Sequence, residues 1–162
     1  MSTNLLVLSA VYLVFALPLS VFDSRKFRIP FIVPSIGLVA MIVLRFVLFQ
    51  ASLASTANML ALALGSSALI FAGVKILSAG AVGFDDVVFG LFTATYTGFY
   101  DNIVAVVFAA LCGVLYYLIQ AVVQKWKKHR IIFRPIFAIP LVPFVTAGAI
   151  LEKLLFFVVP NL

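Results

Sequence analysis

Acidic residues carry most of the potential chemistry of this sequence, which has only five of them among 162 residues. Asp23 follows one long apolar run, and the pair Asp85-Asp86 precedes another. Two carboxyl groups that face each other at a poorly hydrated interface cannot both be charged, so one of them holds a proton. Such a couple can activate water against a peptide carbonyl: the ionised carboxylate accepts the water proton, and the neutral acid hydrogen-bonds the carbonyl oxygen. The alternative is that Asp23 and Asp86 only cap helices beside basic loops.

The other two acids have simpler interpretations. Asp101 stands where the fifth apolar segment opens, and it is predicted to be the N-cap of a helix. Glu152 lies inside the last apolar run, where Lys153 or Arg45 could neutralise it in a structural ion pair. Neither acid is predicted to take part in catalysis.

The elements that must position these acids are membrane helices. Hydrophobic residues make up 65% of the chain and charged residues 10%, whereas soluble domains have about 25% charged residues. Apolar runs of roughly 18 or more residues are typical of helices that cross a bilayer. We therefore predict an all-α membrane protein, a bundle of about six transmembrane helices. The approximate spans are 5–22, 29–49, 55–77, 86–100, 102–124 and 135–159.

The fourth span is the shortest. Its uncharged run of 14 residues, Val87 to Tyr100, rises roughly 21 Å as a helix, less than a hydrocarbon core of about 30 Å. A re-entrant segment is the alternative. Six spans, however, put nine of the eleven cations on one side of the membrane, as the positive-inside rule requires. We therefore predict that both termini lie outside and that the basic loops lie in the cytoplasm, at an inner membrane.

The charge of the chain agrees with this topology. A net charge of +6 is explained by cytoplasmic loops that face anionic lipid, so the lipid bilayer, and not nucleic acid, is the expected partner. Residues 1–162 are predicted to form one integral membrane domain, because no polar stretch exceeds about ten residues, and no removable signal peptide is expected. The single cysteine, Cys112, excludes an intrachain disulfide or a CxxC metal site. No cofactor is expected.

Three segments give the acids a more specific context. The segment from Asp23 to Pro30 resembles the D-x-R-x-x-x-I-P segment in the membrane catalytic domain of type IV prepilin peptidases. Gly83 to Asp86 is similar to the GxGD motif of these intramembrane aspartyl proteases, and it too precedes an apolar helix. Ile139 to Ala149 is similar to the I-P-F-G-P-F-x-x-x-G-A segment in the last helix of the family. The resemblance extends over nearly the whole chain.

The resemblance implies an aspartic endopeptidase whose catalytic residues are Asp23 and Asp86. The residues it implies for substrate binding or motif support are Arg25, Pro30, Gly83, Asp85, Pro140 and Pro143. The implied substrate is a prepilin- or pseudopilin-like protein of a type IV pilus or protein secretion system. It would have a basic leader, a glycine before the cut and a hydrophobic helix after it, and the leader would be removed at the cytoplasmic face. No N-methyl transfer is expected, because the sequence lacks the CxxC-bearing region associated with that activity.

The sequence also departs from the motif. Asp85 occupies the position of the second glycine in GxGD, and adjacent helical residues point about 100° apart, so Asp85 and Asp86 cannot both face Asp23. Asp85 is expected to be a loop residue or an N-cap, or else to attract a basic leader peptide. Pro140 and Pro143 are expected to kink or loosen the last span.

Two functions of other classes remain as alternatives. The first is a non-catalytic scaffold that binds pilin-like helices or a secretion assembly, for which Asp85 is the supporting feature. The second is a small proton-coupled transporter in which Asp23 and Asp86 relay protons, a frequent use of acids inside membranes.

Overall fold

The computed structural model of the chain describes residues 3–26, 29–49, 52–77, 82–126 and 141–158. These residues form six helices and no strand, which confirms the all-α prediction. The helices are α1 (Thr3–Lys26), α2 (Ile32–Leu48), α3 (Leu53–Leu77), α4 (Phe84–Thr97), α5 (Phe99–Trp126) and α6 (Leu141–Val158). Three stretches, Thr3–Ser24, Leu53–Ile76 and Phe99–Tyr116, are long and apolar enough to cross a membrane.

Helix α4 is the centre of the bundle. It contacts each of the other five helices, and these contact one another in the order α1, α2, α3, α5, α6 and back to α1. All of its residues from Val87 to Thr97 are buried except Leu91, which is partly buried. The shortest of the six helices is therefore enclosed by the other five.

Small residues let the surrounding helices approach α4 closely. Gly90 of α4 lies against the ring of Phe71 of α3, where a β-carbon would collide with that ring. Gly37 of α2 lies against Phe92 of α4, and a β-carbon there would be 3.0 Å from the Phe92 ring. Such contacts replace the hydrophobic effect as the source of helix association where the solvent is lipid.

At the C-terminal end of α4, a glycine caps the helix and two cations bind its last carbonyl groups. Gly98 has φ of 95°, a left-handed conformation that suits glycine, and its N–H donates to the Ala94 carbonyl at 2.9 Å. Arg45 donates from Nε to the Thr95 carbonyl at 2.9 Å and from Nη2 to the Tyr96 carbonyl at 2.6 Å. Lys153 donates to the Thr97 carbonyl at 3.5 Å. The cations thus satisfy carbonyls that have no partner within the helix.

The outward faces of the ring of helices are apolar. Large hydrophobic side chains stand exposed along all of the surrounding helices, and they include Val14, Leu17, Ile36, Val39, Val43, Met59, Leu62, Leu69, Val107, Leu111, Val114, Leu118 and Leu154. A surface of this extent is not sustained in water by a monomer. It suits contact with lipid, in agreement with the three helices that are long enough to cross a membrane.

Two predictions from the sequence are wrong in detail. Asp101 is not an N-cap: it lies in the first turn of α5, and its Oδ2 forms an ion pair with Lys153 at 2.8 Å. Pro143 does not lie at a kink in the middle of a helix, because it is the third residue of α6, where a missing N–H costs no internal hydrogen bond. Glu152, in contrast, pairs with Lys153 at 3.2 Å, which is one of the two predicted partners.

Gly148 of α6 lies so close to α5 that no side chain is predicted to fit there. A β-carbon at this position would collide with the carbonyl oxygen of Ala105 and with the backbone nitrogen of Ala109, and backbone atoms cannot move aside as a side chain can. Gly148→Ala is expected to reduce the free energy of unfolding by about 1–3 kcal/mol, the usual cost of overpacking. Thermal unfolding in detergent measures this change.

The matched control is Gly65→Ala in α3, where a β-carbon would have no neighbour within 4 Å. This change is expected to leave the unfolding temperature unaltered or slightly raised, because alanine favours the helix. Equal unfolding temperatures for the two variants would show that α5 and α6 are not packed as closely as described.

Candidate functional site

Three helix ends meet at one end of the bundle, and each contributes a group that faces the others. Asp23 lies in the last turn of α1 and is only 4% exposed. Its Oδ2 accepts the backbone N–H of Val142, at the start of α6, at 2.9 Å. Asp23 of α1 therefore caps the N-terminus of α6, although it is 119 residues from Val142 in the sequence. We call this the Asp23 end of the bundle.

Asp86 lies at the same end, in the first turn of α4. Its Oδ2 accepts the backbone N–H of Gly83, the N-cap residue, at 2.9 Å. The carboxyl group of a third helical residue that reaches back to the N-cap is one half of a capping box. Asp86 is partly buried, so its side chain lies at the edge of the bundle.

Asp85 points to a different neighbour. Its Oδ2 accepts the backbone N–H of Ile29, in the connection between α1 and α2, at 3.3 Å. Its Oδ1 fills the space in which a β-carbon of residue 83 would stand, so Gly83 gives this side chain room. The prediction that Asp85 is a loop residue or an N-cap is therefore wrong. Asp85 lies in the first turn of α4, and its hydrogen bond joins the α1–α2 connection to this helix.

An aromatic contact also joins the α1–α2 connection to α4. The rings of Phe31, just before α2, and Phe84, the first residue of α4, stack with centroids 5.8 Å apart. The ammonium of Lys75 lies over the Phe84 ring, 5.4 Å from its centroid. Both rings are largely exposed, Phe31 by 49% and Phe84 by 60%. They form an apolar rim beside the three carboxyl groups.

The three carboxyl groups affect one another electrostatically. Asp23 interacts with Asp85, and Asp86 interacts with both Asp85 and Asp23. Among the described residues, no hydrogen bond joins the side chains of Asp23 and Asp86 directly, because each is anchored to a backbone N–H of a different helix. The two backbone hydrogen bonds hold the Asp23 and Asp86 carboxyl groups at the same end of the bundle, but the two carboxyl groups do not hydrogen-bond to each other.

The other predicted site residues are distributed around this junction. Pro30 is exposed and lies just before α2, and its carbonyl accepts the Val33 N–H at 3.0 Å. Pro143 follows Val142, whose N–H donates to Asp23. Arg25 lies in the last turn of α1, but its side chain is outside the described part of the structure, and Pro140 lies outside the described residues.

A row of hydroxyl groups inside the bundle is a feature that sequence reasoning missed. Oxygen atoms lie close together in three pairs: Ser9 with Tyr96 at 3.0 Å, Tyr12 with Thr93 at 3.3 Å, and Ser20 with Thr146 at 3.0 Å. We call these six residues the hydroxyl row.

A helical spacing in the sequence could have indicated this row. The buried positions of α1 are Leu8, Tyr12, Ala16, Leu19 and Asp23, which recur every three or four residues. Tyr12 therefore shares the inner face of α1 with Asp23, so the spacing places its hydroxyl inside the bundle. The partners in α4 and α6 could not be found in this way, because they depend on how the helices are arranged.

Comparison with protein-family models, with curated proteins and with solved structures finds no match for this chain.

The hydrogen bond between Asp23 and Val142 gives a prediction about stability. Asp23→Ala removes the acceptor and leaves a buried N–H without a partner, whereas Asp23→Asn keeps a carbonyl oxygen in its place. The alanine variant is therefore expected to unfold at a lower temperature than the asparagine variant, by the equivalent of about 1–3 kcal/mol. The measurement is thermal unfolding of both variants in the same detergent. If the two unfold alike, Asp23 is not needed to cap α6.

Proposed function

We propose that this chain is a membrane aspartic endopeptidase of the prepilin peptidase type, with Asp23 and Asp86 as its catalytic pair. The observation that carries the proposal is that Asp23, in the last turn of α1, and Asp86, in the first turn of α4, lie at one end of the bundle on helices that contact each other. Both belong to segments that resemble the motifs of the family. Hydrolysis of a peptide bond by two carboxyl groups needs this arrangement, in which two acids from separate elements share one water.

The division of work between the two acids follows from general acid–base chemistry. One carboxylate accepts a proton from the attacking water, and the other, as the neutral acid, donates a hydrogen bond to the carbonyl oxygen of the scissile bond. The anchors on Val142 and Gly83 hold the two carboxyl groups at fixed places. Because α4 contacts all the other helices, the position of Asp86 is set by the whole bundle.

The surroundings of the acids suit a substrate with a basic leader and a hydrophobic helix. Three carboxyl groups close together attract a positively charged leader. The exposed rings of Phe31 and Phe84 offer an apolar contact beside them for the residues after the cut. In this proposal all six helices cross an inner membrane, both termini lie outside, and the Asp23 end faces the cytoplasm.

The direct test is cleavage of a prepilin-like protein with a basic leader by the purified chain in lipid. Wild type is expected to release the leader, and Asp23→Asn and Asp86→Asn are each expected to slow cleavage by at least about 10²-fold, the usual contribution of an acid or base. Asp85→Asn is the matched control, since it removes the same charge from the adjacent residue. It is expected to slow cleavage less than either of the other changes, because its side chain hydrogen-bonds to Ile29 and its charge acts on Asp23 and Asp86 only through space.

Two other results would lead to different conclusions. If Asp85→Asn abolishes cleavage as completely as the other two changes, Asp23 and Asp86 are not a distinct pair. If wild type leaves a broad set of leader peptides intact under conditions in which a characterised prepilin peptidase cuts them, the endopeptidase proposal fails. A scaffold is then favoured if Asp23→Asn/Asp86→Asn still binds the substrate.

The hydroxyl row supports a second candidate function, proton-coupled transport. Its three pairs are spaced along α1 from Ser9 to Ser20, and their partners belong to α4 and α6. Three of its members, however, donate their protons to backbone carbonyls: Ser9 to Leu5, Ser20 to Ala16 and Thr93 to Phe89. Hydroxyl groups held in this way act as links between helices. We therefore rank transport below hydrolysis.

Proton flux distinguishes these functions. As an endopeptidase, the chain is expected to carry no acid-driven proton flux in liposomes beyond that of protein-free liposomes. A flux that Tyr12→Phe abolishes would favour the transporter, because this change removes the buried hydroxyl that hydrogen-bonds with Thr93. Tyr100→Phe is the matched control, since Tyr100 is exposed and lies outside the row.

A further inference from the structure

A cavity lies at the opposite end of the bundle from the three carboxyl groups, between α2, α3 and α4. Its volume is about 110 Å³, roughly that of three or four water molecules in the liquid at about 30 Å³ each. Its apolar wall includes Phe49, Leu60 and Ala63, and its polar groups include Arg45 and Thr56. A space of this size admits a headgroup or a few methylene groups, but not a helix or a strand.

Arg45 gives the cavity a positive charge. The guanidinium has five N–H groups, and the bonds to the Thr95 and Tyr96 carbonyls use two of them. Those bonds and the Phe49 ring, 5.2 Å from the guanidinium carbon, hold it at the cavity wall. Asp101, whose charge also acts on Arg45, forms its ion pair with Lys153 at 2.8 Å, and no salt bridge to Arg45 is found among the described residues.

The cavity also adjoins the lipid-facing surface. Met59 lines it and is largely exposed, and α3, which supplies Thr56, Leu60 and Ala63, is one of the helices long enough to cross a membrane. A ligand could therefore enter from the side of the bundle, with its polar part at the helix ends and its apolar part along α3.

We propose that this cavity binds a phospholipid, with the phosphate on Arg45 and the start of an acyl chain against Leu60 and Ala63. Guanidinium groups recognise phosphate because their N–H groups match its oxygens. A free phosphate ion would leave the apolar wall without a partner, and a lipid without phosphate would leave the charge of Arg45 and its remaining N–H groups without an anionic partner. The combination of one cation with an apolar wall fits a ligand that has both parts.

The test is binding of phosphatidylglycerol to the full chain in detergent, measured by native mass spectrometry. Wild type is expected to retain bound phosphatidylglycerol, while diacylglycerol with the same acyl chains and inorganic phosphate are expected to bind at least about tenfold more weakly. Arg45→Gln is expected to weaken lipid binding at least about tenfold through loss of a charge-assisted hydrogen bond. Ala63→Phe fills the cavity and is expected to weaken binding similarly while Arg45 remains in place.

The control for Ala63→Phe is Leu69→Phe, a similar enlargement on an exposed face of the same helix. It is expected to leave binding unchanged. If Arg45→Gln does not fold, the comparison of Ala63→Phe with Leu69→Phe still tests whether lipid binding depends on the cavity. Equal binding by wild type and Ala63→Phe would overturn the proposal, as would diacylglycerol binding as tightly as phosphatidylglycerol, or inorganic phosphate displacing the lipid.

Discussion

The constraint on which the structure depends is that both ends of α4 must find hydrogen-bond partners inside the bundle. Helix α4 has 14 residues and is enclosed by the other five helices, so that almost all of its residues from Val87 to Thr97 are buried from water. Where water is excluded, each backbone group without a partner costs several kcal/mol. Arg45 and Lys153 satisfy carbonyls at one end, and Asp86 accepts an N–H at the other. Arg45, Lys153 and Asp86 thus lie where the central helix begins or ends.

Two of the acids also supply hydrogen-bond partners at helix ends, so their structural role and their proposed catalytic role have to be considered together. Asp23 accepts an N–H of α6, and Asp86 accepts the N–H of the α4 N-cap. Both therefore contribute to stability whether or not they act on a substrate. A capping role does not exclude catalysis, because each anchor uses only part of the hydrogen-bonding capacity of a carboxyl group. It does mean that loss of activity in a variant is informative only when the fold is retained, which makes asparagine the more informative replacement.

The sequence predicts the helices better than it predicts their contacts. Uncharged runs separated by short polar segments were sufficient to find six helices, since lipid requires continuous apolar faces and internal backbone bonds. The position of Asp86 in the first turn of α4 also follows from local sequence. The bond from Val142 to Asp23 does not, because it joins residues far apart in the chain, and neither does the use of Arg45 on α4 carbonyls. The N-cap prediction for Asp101 is wrong because α5 begins at Phe99, two residues before it.

Asp85 shows how a change within a motif can be accommodated by its neighbours. A glycine at position 85 would leave Ile29 without this acceptor and Gly83 without the side chain that lies against it. With aspartate there, the α1–α2 connection is held on the first turn of α4, next to both Asp23 and Asp86. A more fixed connection favours a preformed pair of acids, but it also restricts how far the junction can open for a substrate. The connection is held to α4 by the stacked rings of Phe31 and Phe84 and by one hydrogen bond of 3.3 Å, which is long for an N–H to a carboxylate oxygen and therefore the contact that opening would break most easily.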